Sequence, residues 1–382
     1  DDLSRGLGDV YKRQELFIKL GKRICYDKIE KIYSDIRVRR GFYPYATTKE
    51  GKWFTTASHF ISVGFSYEIL RAAGHITEEK EFERKAETLR EKIRYEEGSE
   101  RKFNPARLLH ARKDILKAAR YFDRFYNENH GFYDFGQLLG VNTSSQEAVL
   151  DTGSLTGPLS VIKEAAYLGE NEESNRYKRQ IVRHTGAIER FMMRKDNSTI
   201  DYAIINFAKE EVHQRRRKAF AHYGCYSRGH AGTIDWFVDM YAATQNEHYR
   251  NVATRLQNYF TKHLPKDGIP FADLHPEYRQ RKGAYRDTSA LTKNIHTRAK
   301  QVYIHGEREH MQPLYTSLQD LVPYIPGNEE PNIIINCGCV NLNTKEYANS
   351  CPIWSVHSFL KTIEIIKKNH KENPYNVSQG SG

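Results

Sequence analysis

The stretch TGPLSVIKEAAYLGENEESNRYKRQIVRHTGAIERFM, residues 156–192, predicts two helices joined by a short turn. Apolar residues recur at three- and four-residue spacing before and after the polar segment GENEES, and this is the spacing of one helix face. The second helix opens on acidic and polar residues, as helix amino ends commonly do. The predicted unit is a helical hairpin, and the rest of the chain repeats it.

The hairpin pattern recurs along most of the chain, with long and unequal inserts between its copies. An open solenoid would repeat at a regular period, so unequal inserts favour hairpins that close into an α/α toroid. The predicted fold class is therefore all-α. Strand signals are few, and the best are Ser198–Phe207 and Pro331–Leu342. The further helical stretches are 59–74 with 78–98, 231–264, 289–306 with 309–325, and 351–370.

No linker divides the chain of 382 residues, and we predict one domain over residues 15–372. The segment SRGLGDVYKRQ, residues 4–14, resembles the translation of a sequencing adapter, so residues 1–14 are predicted to be an artefact outside the fold. The polar end NPYNVSQGSG, residues 373–382, is predicted to be disordered. Because the native start is in question, the sequence makes no prediction about localisation.

The formal net charge of +11 favours an anionic partner, either a nucleic acid or an acidic polysaccharide. No nucleic-acid recognition module is visible, which argues against the first of these. No apolar run is long enough to span a bilayer, so no membrane partner is expected. The five cysteines are scattered, and the CGC at Cys337–Cys339 lacks the spacing of a zinc site. We therefore expect neither a disulfide framework nor a metal.

The segment VLDTGSLTGPL, residues 149–159, sets one carboxyl group among apolar and small residues. Burial against these neighbours would raise the pKa of Asp151 and keep its carboxyl group neutral, as a proton donor requires. The alternative is that Asp151 caps a helix running from about Gly153 to Leu168.

Five motifs together resemble the unsaturated glucuronyl hydrolase family. They are VLDTGSLTGPL (149–159), YSRGHAG (226–232), HLPKDGIPFADL (263–274), YRDTSA (285–290) and NTKEYANSCPIWSVHSFLKTIEII (343–366). Their order and spacing follow the family over roughly residues 40–370. The resemblance implies an (α/α)6 toroid of six helical hairpins and an enzyme that needs neither a metal nor an organic cofactor.

The resemblance also implies a reaction. The family acts on oligosaccharides left by polysaccharide lyases, which end in a 4,5-unsaturated uronic acid. By this resemblance Asp151 protonates the vinyl ether double bond and helps water to add at the adjacent carbon. The hemiketal then collapses and the glycosidic bond breaks. The implied partner is an unsaturated acidic oligosaccharide. A related toroid family acts on unsaturated rhamnogalacturonides through the same kind of aspartate, and it is the alternative for the substrate.

Several site residues are implied by the same resemblance. Arg228 and Gly229 match the family directly, and Arg228 is expected to pair with the substrate carboxylate through two hydrogen bonds. Phe135 falls beside a family aromatic that stacks on the sugar, although a core phenylalanine is the alternative. Trp53, or its neighbour Phe54, is the candidate for an early aromatic of the family.

Three further candidates for substrate binding carry departures from the family pattern. His222 resembles the histidine of a family His-Gln-Gly turn, with a structural histidine as the alternative. Asp201 stands where the family has a histidine, and His230 stands where it has a glutamine. Gly232 replaces a family tryptophan, which removes a large stacking surface. The motif YRDTSA is expected to hold the toroid together rather than to touch substrate.

The family carries a second aspartate, in a His-Asp-x-Gly-Phe motif one hairpin before Asp151, and this chain lacks that motif. The corresponding interval holds only EEGSERKFNP, residues 96–105, which is about one helix shorter than the family's interval and predicts an incomplete hairpin. Asp134, in ENHGFYDFG, is a weak substitute because its loop would have to fold back. Losing one of two acidic groups should lower the rate strongly.

These departures leave three functions open. The first is a hydrolase active on an unsaturated uronide, which Asp151 and Arg228 favour. The second is a toroid without activity that binds an acidic glycan or has a structural role, which the missing hairpin, Gly232 and the basic run 215–218 favour. The third is a nucleic-acid-binding helical solenoid, which only the charge favours.

Overall fold

Paired helices form a toroid in the computed structural model of the chain, which confirms the predicted all-α class. The structure describes residues 2–35, 42–57, 62–92, 112–136, 146–152, 158–207, 211–214, 218–327, 333–339 and 349–371, with the single residues Val141, Ser144, Lys209 and Glu330. The predicted incomplete hairpin at residues 96–105, the basic residues 215–217 and the predicted disordered end lie outside these ranges.

Thirteen α-helices lie in the described ranges, and the stretch 156–192 forms a helical hairpin as predicted. The helices are α1 (Asp2–Ile24), α2 (Glu30–Asp35), α3 (Ser62–Thr77), α4 (Lys80–Lys92), α5 (Arg112–Asp123), α6 (Pro158–Ala166), α7 (Glu172–Met192), α8 (Ser227–Thr244), α9 (Glu247–Lys262), α10 (Pro276–Arg279), α11 (Thr288–Tyr303), α12 (Met311–Leu321) and α13 (Ile353–Lys371). One π-helical turn (Cys25–Ile29) and two 3-10 turns (Arg308–His310 and Val322–Tyr324) complete them.

The helices of the toroid form an inner and an outer layer. Helix α3 packs on α13, α13 on α11, and α11 on α8, and these four make most of the inner wall that the structure describes. Helices α4, α9 and α12 pack outside α3, α8 and α11, and α1 packs outside α13. Helix α6 joins the inner wall because its Lys163 pairs with Asp239 of α8, and α5 and α7 pack against it. The outer helices keep one exposed face, whereas α11 and α8 are buried over most of their length.

Local sequence signals place the helix ends. Asn171 and Asn246 accept hydrogen bonds from backbone N–H groups in the first turns of α7 and α9, and Asp287 does the same for α11. A side-chain cap of this kind satisfies an N–H that the helix itself leaves unpaired. Helix α8 ends at Gln245, which has a left-handed backbone with φ of 55°. These caps fix where the paired helices begin and end.

Three small antiparallel sheets lie between the helices. The strands are β1 (Phe42–Thr47), β2 (Trp53–Ala57), β3 (Tyr126–Asn127), β4 (Phe132–Tyr133), β5 (Glu147–Asp151), β6 (Tyr202–Asn206) and β7 (Glu211–Gln214). Strand β1 pairs with β2, β3 with β4, and the third sheet has the order β5-β6-β7. The strand predicted at 198–207 is thus present as β6. The register of β5 and β6 sets Asp151 opposite Tyr202, at the end of the ladder.

One sequence-based interpretation is corrected by these elements, and another falls partly outside the described residues. Asp151 ends β5, and residues 153–157, where the helix predicted from about Gly153 would begin, lie outside the described ranges. The strand predicted at 331–342 is not formed by its described residues 333–339, where only Gly338 pairs, in an isolated bridge with Ser350. Its apolar residues instead fill the core between helices.

Charged side chains connect the inner helices across the toroid. Lys293 and Lys300 of α11 both lie 2.5 Å from a carboxylate oxygen of Asp235 on α8. Lys300 also pairs with Asp239, which in turn pairs with Lys163 of α6. Each charge has an opposite partner, so the cost of removing it from water is offset by direct contacts. The network therefore ties the three inner helices α6, α8 and α11 together.

The amino end of the described chain contributes to the core. Helix α1 runs without a break from Asp2 to Ile24, through the adapter-like residues. Gln14 is 5% exposed and donates a hydrogen bond of 2.8 Å to the hydroxyl of Tyr303 on α11. Gln14, which the sequence prediction left outside the domain, therefore packs within it. Among the described residues, none of the helices is both long enough and apolar enough to cross a bilayer.

Candidate active site

The amino ends of inner helices α8, α11 and α13 meet the end of β5 at one face of the toroid. The guanidinium of Arg228, in the first turn of α8, donates to Ser289 Oγ of α11 over 3.2 Å and stacks on the Trp354 ring of α13. Gly229, next in α8, lies against Thr152, which directly follows β5. Helix amino ends carry partial positive charge, so this face favours an anionic ligand.

Asp151 and Asp201 lie at the same end of the β5–β6 ladder. Asp151 is 7% exposed and Asp201 is 6% exposed, so both carboxyl groups are largely removed from water. The backbone N–H of Thr152 donates to the carbonyl oxygen of Asp201 over 3.1 Å, which holds the two chain segments together just beyond the last ladder pair. The sequence prediction named both residues, and both lie at this end of the ladder.

The surroundings of Asp201 favour its protonated form. Burial is the largest influence and raises its pKa, the positive charge of Lys218 lowers it, and the negative charge of Asp151 raises it again, to about 6. The backbone N–H of Lys218 donates to Asp201 Oδ2 over 2.9 Å. Asp201 is therefore a carboxyl group that changes its charge near neutral pH.

Close packing at Gly229 joins β5 to α8. A Cβ atom at this position would lie 2.7 Å from Thr152 Oγ1 and 3.6 Å from Asp201 Cβ. Only glycine allows the end of β5 to approach α8 this closely. The match of Gly229 to the family motif thus has a packing reason in this chain.

Gly229→Ala is expected to lower the free energy of unfolding by about 1–3 kcal/mol, because the added methyl group must displace Thr152. Gly186→Ala in α7 is the matched control, since no atom lies within 4 Å of the Cβ it would add. The control should be neutral or stabilising by about 1 kcal/mol, as alanine is in a helix interior. Urea denaturation measures both. Equal effects of the two substitutions would contradict the close approach of β5 and α8.

Arg228 lies between two aromatic rings. Its guanidinium carbon is 4.6 Å from the centre of the Trp354 ring and 5.1 Å from that of Tyr226. Besides Ser289, its Nη1 donates to the carbonyl oxygen of Cys339 over 3.3 Å. Stacking holds the planar guanidinium in place, as a bidentate contact to a carboxylate requires.

Asp287 is connected to Arg228 through Ser289, whose hydroxyl accepts from Arg228 and donates to Asp287. It is fully buried at the amino end of α11, where Oδ1 accepts hydrogen bonds from the backbone N–H and the hydroxyl of Ser289. Burial raises the pKa of Asp287, and the charge of Arg228 lowers it. The expectation that YRDTSA is structural agrees with these contacts. Arg286 of the same motif donates to Ile269 O and pairs with Asp267.

An aromatic wall continues from Trp354 toward β2. The Tyr45 ring is 5.4 Å from the Trp354 ring and 6.5 Å from the Phe54 ring, both in edge contacts. Phe54 is 48% exposed, whereas Trp53 packs against the hydrophobic core. Neighbouring strand residues point to opposite faces. Phe54, rather than the predicted Trp53, therefore lies with the aromatic rings of the site.

Asp134 is held by backbone groups. Its Oδ1 accepts hydrogen bonds from the N–H of Gly136 over 2.8 Å and from the N–H of Val149 over 3.1 Å. The loop does come back to β5, as the substitution hypothesis required, but it meets β5 at Val149. These contacts give Asp134 a structural role in fixing the loop to the strand.

The other candidates lie outside the site. Phe135 is buried in the core, where its ring packs against those of Phe122, Phe125 and Tyr133. This packing corresponds to the alternative of a core phenylalanine. His222 is exposed, and its ring packs edge-on against Tyr223. Neither Phe135 nor His222 is part of the proposed site.

His230 is a core residue. It is 0% exposed, and its ring nitrogens bond to Thr199 Oγ1 over 3.1 Å and to the carbonyl of Leu256 over 2.9 Å. Burial lowers the pKa of its imidazole to about 4, so the ring is neutral. With both nitrogens occupied inside the core, His230 has no atom left to bind a substrate, and the predicted binding role is not supported by its position.

The sequence did not single out four residues that the structure places at the site. Tyr226, Lys218, Tyr45 and Trp354 surround the predicted Arg228 and Asp201. Tyr226 and Trp354 lie within quoted motifs, so their motif membership was the available signal. For Tyr45 and Lys218 only the tertiary contacts identify the role.

One group of described residues has the composition of a cation site, and it lies elsewhere. Glu307, Glu309 and His310, just before α12, have possible ligand atoms within 4.8 Å of one another. Glu307 is already engaged, because it accepts a hydrogen bond from Gln301 and pairs with Arg250 over 3.0 Å. These contacts explain the cluster as an ion-pair network.

Comparison with known proteins gives structural but not sequence matches. No protein-family model matches the chain, and a search of curated proteins gives no match. The crystal structure of an unsaturated glucuronyl hydrolase specific for heparin is similar, with a TM-score of 0.77 at 13% identity over 93% of this chain and 98% of that chain. The unsaturated glucuronyl hydrolase from Bacillus sp. GL1, responsible for the degradation of glycosaminoglycan, has a TM-score of 0.70 at 16% identity over 94% of each chain.

A third similar structure holds a bound sugar. It is a mutant unsaturated glucuronyl hydrolase from Streptococcus agalactiae complexed with dGlcA-GalNAc6S, with a TM-score of 0.62 at 15% identity over 93% of this chain and 91% of that chain. At these identities the likeness shows the shared fold. The chain has the helical toroid of these hydrolases over nearly its whole length.

Proposed function

We propose that the chain is a glycoside hydrolase that acts on oligosaccharides ending in a 4,5-unsaturated uronic acid. The observation that carries the proposal is the position of Arg228. Its guanidinium lies between the rings of Tyr226 and Trp354 at the meeting point of three helix amino ends. Asp151 and Asp201 lie at the end of the β5–β6 ladder that packs on α8 next to Arg228. One fixed cation for a carboxylate and two carboxyl groups for proton transfer are the groups that this reaction needs.

The uronic acid carboxylate would be bound by Arg228. A guanidinium meets a carboxylate with two parallel hydrogen bonds, and aromatic stacking reduces the freedom lost on binding. The helix amino ends of α8, α11 and α13 add partial positive charge on the same side. The aromatic rings of Tyr45, Phe54 and Trp354 offer a surface for the sugar faces.

Asp151 would carry the chemistry at the double bond. It ends β5 where the strand leaves the sheet, and its low exposure gives the dry surroundings that favour proton transfer to carbon. Protonation at C4 of the vinyl ether makes C5 electrophilic, and water adds there. The hemiketal at C5 then opens, and the glycosidic bond breaks. Each step moves only protons and water, so the residues of the site supply all the groups that this sequence of steps uses.

The full chain should remove the absorbance of the double bond when it is incubated with unsaturated disaccharides from chondroitin or heparin. An unsaturated rhamnogalacturonide is the parallel arm, and a faster reaction there would assign the substrate to the rhamnogalacturonide alternative. Calorimetric titration with the same sugars follows binding. A protein that binds them without consuming the double bond would overturn the proposal in favour of a toroid that binds acidic glycans without activity.

A further inference from the structure

We propose that a cavity beside the outer helix α9 binds one acidic sugar unit, a pyranose ring that carries a carboxylate. The cavity has a volume of about 400 Å³ and lies between α9 and the turn that follows α7. It shares no lining residue with the candidate active site. The inference therefore concerns a second site, and it does not depend on the proposed reaction.

One wall of the cavity is a single face of α9. The residues on this wall follow one another at spacings of three and four, which places them in line along the helix, and they are Arg255, Asn258, Tyr259 and Lys262, with His263 at the helix end. Arg255, Asn258 and Lys262 are exposed, whereas Tyr259 is 8% exposed. The wall thus combines polar side chains in solvent with one tyrosine set into the protein.

The opposite wall is the turn between α7 and β6, which contributes Asp196 and Asn197. The N–H of Arg194 donates to the carbonyl oxygen of Ser198 over 2.9 Å, and the guanidinium of Arg194 donates to the carbonyl oxygen of Gly224 over 3.0 Å. Asp196 Oδ1 accepts hydrogen bonds from the N–H and the hydroxyl of Ser198, at 2.9 and 2.7 Å. These bonds fix the shape of the turn before any ligand arrives.

Tyr259 presents a hydroxyl group without an internal partner. Although the residue is more than nine-tenths buried and lines the cavity, no group in the described part of the chain hydrogen-bonds to this hydroxyl. By contrast, Tyr133 is fully buried, and its hydroxyl donates to Gln180 Oε1 over 2.7 Å. A polar group set into the protein needs a hydrogen-bond partner, and for Tyr259 a ligand in the cavity can supply it.

His263 adds an acceptor next to that hydroxyl. Its ring stacks on the Tyr259 ring with centroids 4.0 Å apart. A carbonyl oxygen only accepts, so the Nδ1 of His263 donates to the carbonyl oxygen of Tyr259, over 2.8 Å. Burial lowers the pKa of the imidazole, which keeps the ring neutral and leaves a lone pair on Nε2. A hydroxyl and a ring nitrogen of this kind match neighbouring hydroxyl groups of a sugar.

The charges of the cavity favour an anion. Arg255 and Lys262 are its cations, and Asp196 is the only carboxylate among its lining residues. Across the described ranges Lys262 has no ion pair, and Arg255 has one, with Glu189 at 3.4 Å. Sulfate offers acceptors only and would leave the lone pair of His263 unmatched. A pyranose with a carboxylate matches both the cations and the lone pair, and a cavity of about 400 Å³ has the size of a small-molecule site.

The cavity lies at the same end of α8 as the candidate active site. The Tyr259 ring is 5.3 Å from the ring of His230, which follows Arg228 by two residues in α8. The net charge of +11 already favours an acidic polysaccharide as partner. A long acidic chain with one unit in the cavity would therefore be held near Arg228.

The His263 side chain reports directly on the cavity. In the full chain labelled with 15N-histidine, the Nε2 resonance of His263, assigned by its absence from His263→Asn, should shift when sodium glucuronate is added. Glucose lacks the carboxylate and sodium sulfate lacks the hydroxyl groups, so both should shift it much less. No shift with millimolar glucuronate would overturn the proposal, and an equal shift with sulfate would overturn the assignment to a sugar.

Two variants test the contacts. Tyr259→Phe and Lys262→Gln should each raise the Kd for glucuronate by about 3- to 10-fold, as the loss of one hydrogen bond does. Lys195→Gln is the matched control, because Lys195 is exposed in the same turn and does not line the cavity, and its Kd should equal that of wild type. A Kd unchanged in both cavity variants would contradict the site.

Thermal unfolding checks that the Tyr259 hydroxyl is free. Tyr259→Phe should keep the melting temperature of wild type, because the hydroxyl has no internal partner in the part of the chain described. Tyr133→Phe should lower it, because the substitution leaves Gln180 without its buried partner. Equal losses in the two variants would show that the Tyr259 hydroxyl is already bonded within the protein.

The cavity and the proposed function can fail separately. The His263 shift should persist in Arg228→Lys, and Lys262→Gln should keep kcat/KM on an unsaturated disaccharide within about twofold of wild type. Loss of the shift in Arg228→Lys would place the sugar at the candidate active site and overturn the second site. If the shift is seen but the chain consumes no unsaturated sugar, the proposed function fails and the cavity site stands.

Discussion

Asp151→Asn is expected to lower kcat/KM on an unsaturated uronyl disaccharide by about 10²- to 10⁴-fold, the usual contribution of a general acid–base residue. The amide cannot give a proton to C4 or take one from water. Because it has nearly the same shape as the carboxyl group, the β5–β6 ladder and the bonds of Thr152 to Asp201 should remain. Loss of absorbance from the double bond measures the rate, and circular dichroism checks the fold.

Asp134→Asn is the matched control for Asp151→Asn. Asp134 accepts two backbone hydrogen bonds through Oδ1, and an asparagine oxygen can accept the same two. Activity in Asp134→Asn should stay within about threefold of wild type, as for a residue that does not act in the transition state. Full activity of Asp151→Asn would rule out Asp151 as the acid. Equal losses in both variants would indicate that Asp134 belongs to the reaction after all.

Arg228→Lys is expected to raise KM for the same disaccharide by about 10- to 100-fold, because a lysine keeps the charge but loses one of two parallel hydrogen bonds. Stacking between Tyr226 and Trp354 is lost as well. The methyl ester of the sugar should separate the two causes. Since the ester has no carboxylate, wild type and Arg228→Lys should differ on it by much less than on the free acid.

Arg281→Lys controls for the loss of a stacked guanidinium in general. Arg281 lies 4.6 Å from the Phe220 ring, the same distance as Arg228 from Trp354, but on an exposed loop outside the site. Its kinetic constants on both sugars should match wild type. A KM for the free acid that is unchanged in Arg228→Lys would show that the carboxylate binds elsewhere, and the proposed function would lose its main support.

Much of the fold was predictable because the sequence pattern of a helical hairpin lies within one short stretch of the chain. Apolar spacing and a polar turn in residues 156–192 predicted α6 and α7, and the same signals predicted the later pairs. Strand β5 was missed because its run of apolar residues reads equally well as the start of a buried helix. The pairing of β5 with β6 shows that the chain is extended up to Asp151.

Residues of the candidate site were predictable only where they stand in a motif that resembles the family. Asp151 and Arg228 stand in recognisable motifs. Asp151 ends β5, and Arg228 lies where the amino ends of α8, α11 and α13 meet. His230 also stands in a motif, but helix α8 turns its ring into the core, where Thr199 and Leu256 bind both nitrogens. A motif gives position along the chain, and burial decides whether the side chain reaches a ligand.

The sequence by itself determined the helical hairpins, the all-α class and the carboxyl group of Asp151 in an apolar segment, because each of these depends on neighbours within one or two helical turns. Only the tertiary structure decided which residues share the end of β5 with Asp151. Asp201 is 50 residues away in the chain, and strand pairing and the close approach at Gly229 bring it to the same end of the ladder. Its raised pKa depends on burial and on the charges of Lys218 and Asp151, which no local pattern encodes.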